Sequence, residues 1–86
     1  MRTRKLSTRR KASPICKEFG AKVRYLREKK KWSQEELAHV SGIHVTYLSG
    51  LERGHRNPTL NVISHLAAAF GITTSELLRS VSEASE

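Results

Sequence analysis

A single cysteine, Cys16, occurs among the 86 residues of this chain. One thiol closes no internal disulfide and completes no cysteine-based metal cluster. No apolar run approaches the ~18 residues that a membrane-spanning helix needs. The N-terminus is basic but lacks the apolar segment of a secretory signal. The exposed aromatic platforms on which single-stranded RNA is usually stacked are missing. Strand-type alternation and internal repeats are absent too. Hydrophobic residues make up 37%, enough for one domain with a modest core and too little to enclose a large substrate cavity. Catalytic groups are missing as well. Cys16 stands beside Lys17 without a nearby histidine and orienting acid. His39, His44, His55 and His65 are scattered, with no i, i+4 pair enclosing an acid on one helix. No catalytic residue, metal or cofactor is therefore expected, and the chain reads as a cytoplasmic protein that is not an enzyme.

Acidic charge is scarce in one part of the chain. The formal net charge is +8, and residues 1–31 hold 13 Lys/Arg against 2 acids, whereas residues 32–86 hold 3 against 6. A short chain with one strongly positive end suits a polyanionic partner, or else carries a solvated tail. Residues 1–13 contain Arg2, Arg4, Lys5, Arg9, Arg10 and Lys11 and show no apolar period, so a flexible basic arm is expected there. The arm lies along phosphates, enters a minor groove or remains an unstructured tail.

The remainder reads as helices. Ser13-Pro14 is an N-cap followed by proline at the first helical position. Ile15, Phe19, Val23 and Leu26 then form one stripe, predicting helix 1 over residues 14–30. Gly20 either weakens that helix or admits a close neighbour. Trp32 is expected as a core anchor. Ser33 and Glu36 form a capping box that opens helix 2, which ends near Ser41. Gly42 supplies the left-handed conformation of a sharp turn. Helix 3 is expected over 44–53, with Gly54 stopping it, and Thr59 caps helix 4 over 60–70. Thr73 and Glu76 form a second capping box, opening helix 5 with Leu77, Leu78 and Val81 on its apolar face. The domain thus covers 14–81, residues 82–86 fray, and the fold is an all-α five-helix bundle.

Two helices joined at Gly42, with small Ala38 at their contact and Leu37, Ile43, Leu48 and Leu51 as anchors, fit a helix-turn-helix. Residues 19–78 resemble a domain of the Cro/phage-repressor type, in the XRE-like family of bacterial and phage DNA-binding proteins. Within it, TYLSGLERGHRNPTL (46–60) and AAAFGITTSELL (67–78) resemble controller proteins of restriction–modification systems. The resemblance implies a lambda-repressor-like fold, a bacterial, phage or plasmid origin, and DNA binding. It also implies that Gln34 contacts the DNA backbone while bracing the recognition helix, and that Arg27 and Glu52 form a semi-buried structural ion pair. Many controller proteins carry a guanine-reading arginine where this chain has Val45, so a different operator is expected here.

On a helical wheel Leu51 and Glu52 share the side of Leu48, while Thr46, Ser49, Gly50 and Arg53 fall opposite. That small, polar, singly charged face suits a major groove, although a plain solvated face is the simpler alternative. Val45, Thr46, Tyr47, Ser49 and Arg53 are the candidate base contacts. Tyr47 could instead pack in the core, and His44 could be an ordinary helix-start residue. Ser33, Gln34, His44, Arg56 and Asn57 are the candidate backbone contacts. Double-stranded DNA is the expected partner. A homodimer through Leu77, Leu78 and Val81 is expected, the alternative being that this face completes the monomer's own core, with RNA polymerase as a further partner and no membrane. The rival reading is a protein-interaction adaptor, antitoxin- or co-activator-like, built on the same fold.

Overall fold

A computed structural model of the chain describes residues 13–79 and 81. The basic arm (apart from Ser13) and residues 82–86 lie outside the described residues. Five helices follow in order: α1 (Pro14–Lys29), α2 (Gln34–Ser41), α3 (Val45–Glu52), α4 (Leu60–Phe70) and α5 (Thr74–Leu78). The all-α expectation is met, with no strand among the described residues.

Local chemistry sets most helix ends. The Ser13 hydroxyl accepts from the Cys16 N–H at 3.2 Å and Pro14 follows at the first turn. The Ser33 and Thr73 capping boxes both close, each residue exchanging hydrogen bonds with Glu36 and Glu76 respectively. The Thr73 backbone N–H and hydroxyl hold the Glu76 carboxyl below its usual range. Gly42 turns with φ 77°, handing the chain from α2 to α3.

The end of α1 is less conventional. Lys31 adopts φ 60°, the left-handed conformation usually filled by glycine. This lets the Trp32 N–H reach Arg27 O at 3.1 Å and the Lys31 N–H reach Glu28 O at 2.9 Å, closing a Schellman motif. Lys31→Gly should therefore stabilise the domain by roughly 0.5–1 kcal/mol, read as a higher denaturant midpoint. An unchanged or lowered midpoint would mean that the lysine is not strained there.

Phe19, Val23, Leu37, Ile43, Leu48, Leu51, Ile63, Leu66, Ala67, Phe70 and Leu77 make one buried core. Trp32 stacks on Phe70, ring centroids 6.1 Å apart and planes 17° from parallel, at its edge. Ile15 does not join this core: it is 50% exposed. It lies in the first turn of α1 and lines a shallow apolar depression of about 120 Å³ with Cys16, Phe19, Ile63, Leu78 and Val81.

The final helix also differs from expectation. It stops at Leu78, and Arg79 turns to extended backbone. Lys22 of α1 explains the stop, because its Nζ donates to Glu76 O at 3.0 Å and Arg79 O at 2.7 Å. A cation thus satisfies carbonyls that a longer helix would have used. Leu77 is wholly buried in the monomer's own core, so its assignment to a dimer interface is corrected. Leu78, 37% exposed, and half-buried Val81 remain accessible.

Candidate nucleic-acid interface

The site is built around α3, which is held from behind by two devices. The first is polar. Arg27 Nε donates to Glu52 Oε2 at 2.7 Å and Arg27 Nη2 to Glu52 Oε1 at 3.0 Å. The side chains are 12% and 4% exposed. Arg27 Nη1 also donates to Trp32 O at 2.8 Å, so one guanidinium ties α1, the loop after it and α3 together. The Glu52 hydrogen bonds raise the Arg27 pKa further, which keeps the group charged throughout. The second device is steric. Gly20 lets α1 rest directly on the last carbonyls of α3, those of Leu51 and Glu52. Gly54, with φ 83°, repeats this at the next turn, where an added Cβ would stand 2.9 Å from Lys17 Cα.

With α3 fixed, its outer side is presented to solvent. Thr46 and Arg53 are exposed and Ser49 is half-buried. Arg53 Nη1 donates to Ser49 Oγ at 2.9 Å, one helical turn apart, leaving its other N–H groups available. Val45 opens the helix, half-buried. Tyr47 packs partly against the core and carries Arg56 over its ring, Cζ 5.1 Å from the centroid. Helix 3 is shorter by one residue at each end than expected. His44 is its N-cap, without a side-chain capping bond, and Arg53 is its C-cap. Gly50, expected on the open outer side, is buried beneath Arg56.

The candidate backbone contacts are differently employed. Gln34, first in α2, donates from Nε2 to Glu52 Oε1 at 3.0 Å, which makes it a third member of the ion-pair cluster. The Ser33 hydroxyl already accepts from Glu36 N–H at 3.0 Å, so its own proton is what it can give to an anion. Exposed Arg56 borders the outer side of α3. Exposed Asn57 instead borders the apolar depression beside Pro58. Sequence reasoning missed Lys22, the strain at Lys31 and the burial of Gly50. Only a glycine standing in a helix, at Gly20 and at Gly50, hinted at close neighbours.

No group of three or more His, Cys, Asp or Glu that could hold a metal occurs among the described residues. No described helix is long and apolar enough to cross a membrane. A polar helix face held rigidly by a buried ion pair is suited to reading a surface.

Comparison with known proteins agrees. A family model described as helix-turn-helix matches residues 23–77. The control protein C.BamHI of Bacillus amyloliquefaciens is 44% identical over 61 residues, 70% of this chain and 75% of its own length. The restriction-modification controller protein C.AhdI from Aeromonas hydrophila superposes with a TM-score of 0.70 at 45% identity, covering 72% of this chain and 94% of that one. C.Esp1396I bound to a 25 base pair operator site gives 0.72 at 25% identity, over 80% and 91%. These relatives are regulators, not enzymes. The model spans more than half of the chain, and the protein belongs to the XRE-type helix-turn-helix family of DNA-binding transcription regulators.

Proposed function

We propose that this regulator is of the restriction–modification controller type and binds a pseudo-palindromic operator as a homodimer, with α3 in the major groove. The carrying observation is the contrast between the two sides of α3. Its inner side is locked by Leu48, Leu51 and the Arg27–Glu52 pair, while its outer side offers Thr46, Ser49 and Arg53. Thr46 and Ser49 meet base edges or thymine methyls, Arg53 takes base acceptors or phosphate, and Val45 and Tyr47 flank them. Ser33, Gln34, His44 and Arg56 meet phosphates, which position the protein without specifying sequence. The adaptor reading calls for an apolar patch here. The exposed large hydrophobics among the described residues are Ile15, Tyr25, Val40, Leu60 and Leu78, none of them on α3.

One domain reads only a few base pairs, so specificity requires two. Leu78 and Val81, with Ile15 beside them, form the apolar surface assigned to the symmetric contact. The two copies of α3 then stand about 34–36 Å apart, one turn of B-DNA. The dimer acts by occupancy in the cytoplasm, blocking RNA polymerase or touching it.

Selection of bound duplexes from a random pool is expected to enrich a two-fold symmetric motif. Thr46→Ala and Arg53→Ala should each weaken binding to it by roughly tenfold or more, about 1–3 kcal/mol for a good base contact. Enrichment of no motif would return the protein to the adaptor class.

A further inference from the structure

A cleft of about 300 Å³ opens on the outer side of α3, lined by Thr46, Gly50, Arg53, His55 and Arg56. Gly50 is buried there although it faces outward, because the Arg56 side chain lies across it. A Cβ at Gly50 would stand 3.2 Å from Arg56 Nε and 3.3 Å from Cγ. The Arg56 guanidinium meanwhile sits over the Tyr47 ring. It takes part in none of the carboxylate pairs among the described residues, which join Arg24 to Glu28 and Arg27 to Glu52. An arginine held on two sides yet without an acid has its N–H groups free for an outside anion.

We infer that Gly50 is a positioning residue: its missing side chain makes the seat that holds Arg56 against Tyr47, with the guanidinium set to take a DNA phosphate. The inference rests on the reading of Arg56 as a backbone contact. It adds why position 50 must stay empty on a face otherwise built of side chains. A fixed guanidinium loses less freedom on meeting phosphate than one that sweeps through solvent.

The test measures affinity for a labelled duplex of mixed sequence over a salt series. Arg56→Ala should weaken binding about tenfold and reduce the log–log salt slope by about one. Gly50→Leu, which fills the seat, should do the same while leaving the thermal midpoint at or above that of the parent, since it removes a glycine from a helix. In the Arg56→Ala background Gly50→Leu should then cost less than about twofold, because the two act through one contact. A leucine that merely collides with DNA would give a full loss in that background with an unchanged slope, which overturns the seat. If Arg56→Ala acts and Gly50→Leu does not, the seat alone falls; if Arg56→Ala binds like the parent, the phosphate role falls with it. A readout without DNA separates the two: the Arg56 Nε proton should be shifted upfield by the Tyr47 ring, and the shift should vanish in Gly50→Leu. Should that variant not fold, Gly50→Ala is expected to show an intermediate, roughly threefold loss, and parental affinity would overturn the seat.

Discussion

Glu52→Ala is expected to lower stability by about 3–5 kcal/mol, a large share of the roughly 5–15 kcal/mol available to a small domain. Glu52 accepts three hydrogen bonds, two from Arg27 and one from the Gln34 amide. Truncation leaves a guanidinium 12% exposed with Trp32 O as its remaining acceptor, and strands the amide as well. The penalty is that of a charge kept out of water without a counter-charge, and it exceeds what the pair itself contributes. The double substitution Arg27→Met/Glu52→Leu should therefore be milder than Glu52→Ala alone. Thermal melts followed by circular dichroism test both statements. The single variant should melt more than about 12 °C lower, at ~4–8 °C per kcal/mol for a chain of this size. A Glu52→Ala melt within a few degrees of the parent would remove the pair from the stability argument.

Gly20→Ala is the second large effect, and its sign runs against helix propensity. Propensity alone would favour alanine by up to ~1 kcal/mol. Here the new methyl would meet Leu51 O and stand 2.8 Å from Glu52 O. Both are backbone atoms of α3, so they cannot swing aside as a side chain would. Phe19 and Val23, buried on either side of Gly20, keep α1 from sliding away. The overlap should cost ~1–3 kcal/mol or more, leaving a net loss. Gly20→Leu should fail to fold. The same Gly→Ala exchange at position 50 meets only the side chain of Arg56, and there stability should hold while DNA affinity falls. A Gly20→Ala variant as stable as the parent would show that α1 and α3 can separate without loss.

The contrast between these two glycines marks what sequence reasoning could reach. Helix starts were legible because capping is local. Ser13, Ser33, Thr59 and Thr73 each bond a backbone N–H three residues on. The turn at Gly42 was legible for the same reason. The family was legible because a helix-turn-helix needs small, flexible and apolar residues at fixed spacings, all inside one short stretch. The polar outer side of α3 followed from helical period alone.

Periodicity failed where a helix runs out of neighbours. It put Ile15 on the core stripe, yet the first turn of α1 overhangs the depression instead of filling it. It put Leu77, Leu78 and Val81 on one apolar face, open to a dimer contact or to the monomer's own core, and Leu77 turns fully into that core. Adjacent apolar residues on a short terminal helix cannot be sorted until the surface they meet is known.

By itself, then, the amino-acid sequence determined the helices, their caps, the turn and the polar face proposed to meet DNA, because each depends on residues within about a turn of one another. The tertiary structure decided the rest. It brought the Lys22 ammonium onto carbonyls 54 and 57 residues away, set α1 on the α3 backbone at Gly20, drew Gln34 into the Arg27–Glu52 pair and laid Arg56 over Gly50. These contacts depend on how helices cross, and a crossing is fixed only when every buried face is satisfied at once.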